Sequence, residues 1–246
     1  MKKRTATQET FTFACHKDIA CFTRCCADLR LVLTPYDTIR LKNRLQLSSQ
    51  DFLDRYTRTF ADTASGLPLV RLKMASDAGR RCPFVRPEGC SVYTDRPGAC
   101  RLYPLGQMAA KTVHGIPSHR HYFKVKESRC LGWQEGRAWT IQEWLRDQGL
   151  DEYNTMNAAY LAITTGRPLG VMKSLDKRQL QMYYTACYNL DAFRRFLFES
   201  SFRQRFDISP DVLAHLRTDD LALMGFAAKW LRFALFGENT LKPKAG

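Results

Sequence analysis

The sequence predicts an α+β protein that is predominantly α-helical, with an irregular cysteine-rich core, a few short strands and a helical C-terminal region. Three observations carry this prediction. The cysteines are concentrated before residue 150, two segments there alternate in polarity, and the apolar spacing after residue 150 is helical throughout. Of the 246 residues, 45% are apolar and 25% charged. This is the composition of a globular protein and excludes a fibre or a disordered chain.

The opening of the chain leads into a predicted first helix. The aromatic and cysteine-rich stretch 9–30 is expected to be loop with a short helix. Thr34 has the side chain of a helix cap, Pro35 suits a first helical turn, and Asp37 suits the positive end of the helix dipole. A helix is therefore predicted to begin at Pro35.

Further elements follow from local patterns. Ser48 and Ser49 begin a second short helix, and the alternating residues 68–74 and 119–125 predict two strands. The stretch 80–105 is rich in proline and glycine and is expected to be irregular. A capping box, Thr140-x-x-Glu143, predicts a further helix.

The C-terminal region reads as helix throughout. Three helical segments are predicted, at 151–165, 176–203 (broken near Asp191) and 210–236. We therefore divide the chain into a cysteine-cluster domain, 1–150, and a helical region packed on it, 151–246.

The start of the chain and its charge bear on compartment and partners. Met1-Lys2-Lys3-Arg4 is followed by polar residues, so we expect no secretory signal, no membrane segment and a cytoplasmic protein.

The formal net charge is 38 − 24 = +14. This surplus predicts a basic face for a protein or other anionic partner, nucleic acid included, or compensation for negatively charged thiolates.

The cysteines are the strongest chemical signal in the sequence. Eight of the nine fall in two short groups and one later position, namely Cys15, Cys21, Cys25 and Cys26, then Cys82, Cys90 and Cys100, then Cys130. In a reducing compartment, clustered cysteines indicate metal binding rather than disulfides, and thiolates select zinc or iron–sulfur clusters. The cysteine-rich core is therefore predicted to be held together by bound metal, with these eight cysteines as ligands.

The spacing bears on the number of metal ions. Clean C-x-x-C knuckles of a zinc ribbon do not occur. Cys25 and Cys26 are adjacent, so their side chains diverge and reach two ions, or two corners of a cluster, more readily than one. Cys187 lies in a helical apolar run and is predicted to be a core residue. His16 is an alternative ligand, and Arg96 and Arg101 are expected to pair with Asp37 or Asp95.

Six motifs occur in one order along the chain. They are Cys21-x3-Cys25-Cys26, Leu33-Thr34-Pro35-x-Asp37, Cys82-Pro83-Phe84, Gly89-Cys90-Ser91-Val92-Tyr93, Arg96-Pro97-x-x-Cys100-Arg101-x-Tyr103-Pro104 and Cys130-x-Gly132. Over roughly residues 11–150 the chain resembles the YkgJ-type cysteine-cluster family, which is described as a zinc- or iron-chelating domain. The resemblance implies metal binding. Its relatives, the flagellin lysine N-methylases, imply methyl transfer from S-adenosylmethionine to protein lysine.

Three functions are therefore open. The first is a protein that holds an iron–sulfur cluster, with a second metal, through the eight cysteines and serves redox or group-transfer chemistry. The second is a zinc-binding structural or interaction module. The third is an S-adenosylmethionine-dependent protein-lysine methyltransferase, although the sequence has neither a glycine-rich GxGxxG fingerprint nor the CxxxCxxC spacing of radical enzymes. No catalytic residue is assigned.

Overall fold

The computed structural model describes residues 10–109, 120–165, 171–172 and 174–244. About 49% of the chain is helical and 17% is strand, which confirms the predicted α+β class with helix predominating. Hydrophobic residues from Phe11 to Leu231 form one continuous buried core. The cysteine-rich part and the helical part of the chain both contribute to it.

The strands are short and form small antiparallel sheets. They are β1 (Thr10–Phe13), β2 (Val32–Leu33), β3 (Thr57–Ala61), β4 (Pro68–Leu72), β5 (Val85–Arg86), β6 (Gly89–Cys90), β7 (Leu105–Ala109), β8 (Arg120–Lys124) and β9 (Arg137–Thr140). Strand β1 pairs with β9, β5 with β6, and β7 with β8, while β4 lies between β2 and β3. Both predicted strands are present as β4 and β8; His119 lies outside the described residues.

Eleven α-helices occur in the described part of the chain. They are α1 (Pro35–Arg44), α2 (Ser49–Tyr56), α3 (Gly98–Leu102), α4 (Ile141–Asp147), α5 (Leu150–Met156), α6 (Ala158–Thr165), α7 (Lys177–Tyr188), α8 (Leu190–Glu199), α9 (Phe202–Arg205), α10 (Pro210–Thr218) and α11 (Asp220–Phe236). Within the described ranges, none of these helices has the length and apolar character needed to cross a membrane.

The local capping signals act where they were predicted. The Thr34 hydroxyl accepts the Asp37 N–H at 3.1 Å, and Asp37 Oδ2 accepts the Thr34 N–H at 2.8 Å. The same reciprocal pair joins Thr140 and Glu143 at the start of α4. Such boxes satisfy amide groups that the first helical turn leaves free, so a few adjacent residues determine where the helix begins.

The segment 210–236 forms two helices where one was predicted. The break lies at Asp219, whose backbone is extended. Its side chain accepts the Leu221 N–H at 2.7 Å and the Ala222 N–H at 3.1 Å, and so caps a new helix. An Asp residue whose carboxylate caps a new helix has a non-helical backbone, so the preceding helix cannot continue through it.

Strand β1 lies in the opening stretch that was expected to be loop with a short helix. Its burial alternates, with Phe11 and Phe13 inside and Thr10 and Thr12 outside. Thr10 pairs with Thr140, which is far away in sequence. A four-residue alternation is too short to identify a strand by itself, and the partner that stabilises it is not visible locally.

Buried ionic contacts connect the two parts of the chain. The Lys42 ammonium of α1 lies 2.7 Å from an Asp220 oxygen at the start of α11, and both side chains are largely buried. Arg194 of α8 contacts the other Asp220 oxygen at 2.6 Å. The helical region is thereby held against α1, which carries the Asp37 cap on the cysteine side.

Candidate metal centre

The first group of cysteines lies on a chain of tight turns directly after β1. Cys15 follows the strand, and turns at Cys21–Arg24 and Thr23–Cys26 bring the chain back on itself, closed by N–H···O bonds of 3.0 and 2.9 Å. Thr23 adopts a positive φ of 63°. Cys25 and Cys26 therefore lie at a sharp turn, where adjacent side chains point to different neighbours.

The second group is placed by a small hairpin and a short helix. The Cys82 N–H donates to the Cys26 carbonyl at 2.8 Å, which joins the two cysteine segments directly. Cys90 pairs with Val85 in the β5–β6 hairpin, and Cys100 lies in α3. Gly89 has φ of +123°, and the Phe22 ring approaches it closely, so the hairpin also packs on the first segment.

Four cysteines from the two ends of the domain line one cavity. We call them the first cysteine set: Cys15, Cys21, Cys25 and Cys130. The Leu131 N–H donates to the Cys21 sulfur at 3.3 Å. The cavity has a volume of about 20 Å³, which is room for about one water-sized sphere. Arg24, Tyr103, Glu127 and Arg129 also line it.

The other four cysteines form a second neighbourhood, which we call the second cysteine set: Cys26, Cys82, Cys90 and Cys100. The proximity of Cys82 and Cys100 acts to raise the pKa of Cys26, and that of Cys82 and Cys90 acts to raise the pKa of Cys100. Cys25 and Cys26 each shift the pKa of the other, and Cys25 also acts to raise the pKa of Cys100. The two sets are therefore contiguous, and the adjacent pair lies where they meet.

Burial holds several of these thiols in the neutral form. Burial raises the pKa of Cys100 to about 12, and the nearby Cys82 sulfur and Asp37 carboxylate act in the same direction. Partial burial raises the pKa of Cys15 to about 11, with further increases from the neighbouring Cys25, Cys21 and Cys130 thiols. A cation that binds here must displace protons, and it removes the mutual repulsion of the thiolates.

The residues present fit a thiophilic metal. No three potential ligands within the described ranges are already arranged around one point, so binding would draw the thiols together. Eight thiols in two sets of four supply the donor number that a tetrahedral zinc ion or a cubane cluster needs. Among the described residues, the Tyr103 hydroxyl that lines the first cavity is buried without a hydrogen-bond partner at normal distance. A thiolate is an acceptor for such a donor, and a neutral thiol is a weak one.

Comparison with known proteins identifies the segment that carries these cysteines. Residues 14–131 match the family model described as "CxxCxxCC: Putative zinc- or iron-chelating domain". Residues 14–131 are therefore similar to this domain family. This confirms the resemblance seen in the sequence and supports a zinc- or iron-chelating function. Searches of curated proteins and of solved structures give no match.

The matched segment departs from the spacing in the family's name. Its first four cysteines follow the pattern Cys15-x5-Cys21-x3-Cys25-Cys26, in which both spacers are longer than two residues. The turns after β1 accommodate the longer spacers, because three of these cysteines still reach one cavity. Methyl transfer, which the resemblance implies, stays a prediction.

Arg96 and Arg101 of the domain pin the loop around Cys100, but not by the expected ion pairs. Arg96 donates to the Tyr93 carbonyl at 2.7 Å, and Arg101 donates to the Gln148 carbonyl at 2.7 Å and also to the Thr94 carbonyl. Asp95 pairs with Arg40 instead. Both guanidinium groups donate to backbone carbonyls of this turn-rich loop, which regular helix and strand bonds do not satisfy.

Asp37 has a second role that the capping motif did not reveal. Its Oδ1 accepts the Gly98 N–H at 2.8 Å, while Oδ2 caps α1. Gly98 begins α3, two residues before Cys100. The fully buried carboxylate therefore joins the start of α1 to the helix that carries a second-set cysteine.

The functional residues that sequence reasoning missed lie close to the ligands. Arg24, Glu127 and Arg129 line the first cavity, and each is within three residues of a cysteine in the sequence. Their proximity in sequence to a predicted ligand is the signal that could have identified them.

Two residues that the sequence analysis treated separately have other surroundings. His16, the alternative ligand, contacts Asp18 and Glu135 at 3.6 and 3.3 Å. Cys187 is buried in α7 near Tyr160 and Ala186.

Gly132 is required where β1 passes the Cys130 turn. The Ala14 N–H donates to the Gly132 carbonyl at 3.1 Å, and a Cβ on Gly132 would lie 2.3 Å from the Ala14 oxygen. Gly132→Ala is expected to push β1 away and to lower the free energy of unfolding by about 1–3 kcal/mol, the usual cost of overpacking. Denaturant unfolding measures this change.

The matched control is Gly225→Ala in α11, because no atom lies within 4 Å of the added Cβ. Alanine favours helix over glycine by about 0.5–1 kcal/mol, so this variant is expected to be more stable. Equal effects of the two substitutions would contradict the tight contact at Gly132.

Proposed function

We propose that the CxxCxxCC domain holds two metal centres, one in each cysteine set. The observation that carries the proposal is the first cavity, where Cys15, Cys21, Cys25 and Cys130 converge from distant parts of the domain. Cys21 is buried, Cys25 and Cys130 are half-buried and Cys15 is exposed, so burial as small hydrophobic residues does not account for all four. They match the ligand number of a closed tetrahedral site.

Nearby cations would offset the negative charge of such centres. A dipositive ion with four thiolates carries a net charge of −2. Arg24 and Arg129 line the first cavity, and Arg86 and Arg96 lower the pKa of second-set thiols against the larger effect of burial. Part of the +14 formal charge of the chain would therefore neutralise the negative charge of the thiolate-bound metal centres.

A single zinc ion in each set is the occupant that the geometry supports best. The first cavity, at about 20 Å³, has the volume for one ion, and its four thiols would draw together around it. In this form each zinc ion would hold together the turns of an irregular domain that has few long helices or strands. The free energy of metal binding would then contribute to the free energy of folding.

An iron–sulfur cluster is the second candidate. Phe13 and Tyr103 line the first cavity, and the Leu131 N–H donates to the Cys21 sulfur. Dry aromatic walls and amide bonds to sulfur are the features by which proteins shield clusters and tune their reduction potentials. Occupied in this way, the domain would supply electron transfer or group-transfer chemistry.

Purification without oxygen or chelators, followed by elemental analysis and visible spectroscopy, tests the proposal. We expect a colourless protein with two zinc ions per chain. A brown protein with iron and acid-labile sulfide would establish the second candidate in place of zinc. A folded chain that contains neither metal, and that takes up neither when reconstituted under reducing conditions, would overturn both.

A further inference from the structure

The sheet formed by β2, β4 and β3 has two unlike faces. Its inner face packs into the hydrophobic core through Leu33, Val70 and Leu72. The register places Arg71 of β4 directly opposite both Arg58 of β3 and Val32 of β2. Successive side chains alternate between the faces of a strand, so these residues and Phe60 share the outer face. We call this surface the basic sheet face: Val32, Arg58, Phe60 and Arg71.

The basic sheet face holds two like charges at directly opposed positions. Arg58 and Arg71 are cross-strand neighbours, and like charges in this arrangement destabilise a sheet. None of the residues of β2, β3 and β4 is acidic, and no ion pair with either arginine occurs among the described residues. The Arg71 guanidinium lies 5.6 Å from the centroid of the Phe60 ring. The face is therefore complementary to a negatively charged ligand, which would relieve the repulsion.

Strand β3 also has a free edge, because β4 lies on one side of it and no described strand lies on the other. The Lys73 N–H donates to the Tyr56 carbonyl at 2.7 Å, so the bonds to β4 fall on the even-numbered residues of β3. The N–H and C=O groups of Thr59 and Ala61 then point away from β4. Both residues are exposed, and no hydrogen bond to these groups occurs within the described ranges. Such an edge can pair with another extended backbone.

We propose that β3 binds an extended acidic segment of a partner protein as an added strand, with the carboxylates of the segment on the basic sheet face. The free edge supplies backbone pairing and the arginines supply charge selection, which is how strand addition divides affinity and specificity. A nucleic acid would use the arginines but leave the carbonyl groups of Thr59 and Ala61 without donors. A second copy paired through β3 would join two basic faces and increase the repulsion.

A labelled eight-residue peptide of alternating Glu and Thr, titrated with the full-length reduced chain and followed by fluorescence anisotropy, tests the proposal. We expect saturable binding that weakens with added salt. A Lys–Thr peptide reverses the charge, and a Glu–Pro peptide keeps the charge but lacks half of the backbone donors. Both are expected to bind at least about 10-fold more weakly. Amide hydrogen exchange at Thr59 and Ala61 is expected to slow when the Glu–Thr peptide binds.

Variants of the chain separate the charge from the edge. Arg58→Glu is expected to weaken binding of the Glu–Thr peptide about 10-fold. It also places opposite charges across β3 and β4, so thermal unfolding is expected at the original temperature or above it. Arg178→Glu is the matched control, because Arg178 is exposed near the start of α7, outside this sheet. It is expected to leave binding unchanged.

Thr59→Pro tests the edge without a change of charge. It removes an N–H that β4 does not use, and proline is tolerated on an edge strand. We expect the variant to fold and to bind the Glu–Thr peptide about 10-fold more weakly, since the added strand loses a backbone bond and meets the proline ring.

Four results would overturn the proposal. They are no binding of the Glu–Thr peptide, equal binding of the Glu–Thr and Glu–Pro peptides, tighter binding of single-stranded oligothymidylate that Arg58→Glu abolishes, and a dimer in sedimentation that Thr59→Pro dissociates. The third result would assign the face to nucleic acid, and the fourth would assign the edge to a second copy of the chain. None of them depends on metal content, so the proposed function is tested separately.

Discussion

Replacing Cys25 with serine is expected to leave one metal ion per chain in place of the two that we propose for the unsubstituted protein. Cys25 lines the first cavity with Cys15, Cys21 and Cys130, whereas Cys26 faces the second set. Serine is a poor ligand for a soft metal site, so a set reduced to three thiolates loses affinity. Elemental analysis of the purified variants, normalised to chain concentration, measures the change.

Double substitutions determine whether the two sets are separate. Cys25→Ser with Cys130→Ser removes two ligands of one set, and we expect one ion to remain. Cys25→Ser with Cys100→Ser removes a ligand from each set, and we expect none to remain. If the two double variants retained the same number of metal ions, the eight cysteines would form one polynuclear centre.

Cys187→Ser provides the matched control for these variants. Cys187 is more buried than any of the ligand candidates, with 4% of its surface exposed, and it belongs to α7 in the helical region. Its substitution is expected to leave two ions per chain. Loss of metal from this variant would mean that the ligand assignment is wrong.

Asp220→Asn is expected to lower the free energy of unfolding by about 3–5 kcal/mol, the usual cost of leaving a buried charge without its partner. The Lys42 ammonium lies 2.7 Å from Asp220, and only 8% of the Lys42 side chain is exposed. Arg194 loses the same partner. Chemical denaturation of the metal-free and metal-loaded chains measures the loss.

The control is Asp207→Asn, which breaks the Lys242–Asp207 pair, whose side chains are 81% and 58% exposed. An exposed pair contributes about 0–1 kcal/mol, so little change is expected. Equal losses in Asp207→Asn and Asp220→Asn would show that burial of the Lys42 pair contributes nothing.

The effect of Asp220 also depends on pH. Burial alone would raise its pKa, but the hydrogen bonds from Lys42 and Arg194 outweigh burial and hold the pKa below the ordinary value of 3.8. The carboxylate therefore stabilises the folded state above that value and loses its contribution as the pH falls below it. The stability difference between the unsubstituted chain and Asp220→Asn is expected to shrink below about pH 4.

Local chemistry explains which elements the sequence predicted well. The starts of α1 and α4 follow from Thr34 with Asp37 and from Thr140 with Glu143, because each cap uses groups three residues apart. The end of α7 at Tyr188 and the start of α8 at Leu190 likewise lie beside the predicted break at Asp191. By contrast, β1 depends on a partner beyond residue 136, and no local pattern contains that information.

The amino-acid sequence by itself determined that this protein is predominantly helical, that its first part is rich in cysteine, and that this part resembles a zinc- or iron-chelating domain. Helix periodicity, caps and thiol chemistry are properties of near neighbours and of residue type, so they can be read without a fold. Only the tertiary structure decided that Cys25 and Cys26 lie in different sets and that Cys130 joins Cys15. Those choices depend on which distant turns pack together, and on glycines such as Gly132 that allow the backbones to approach.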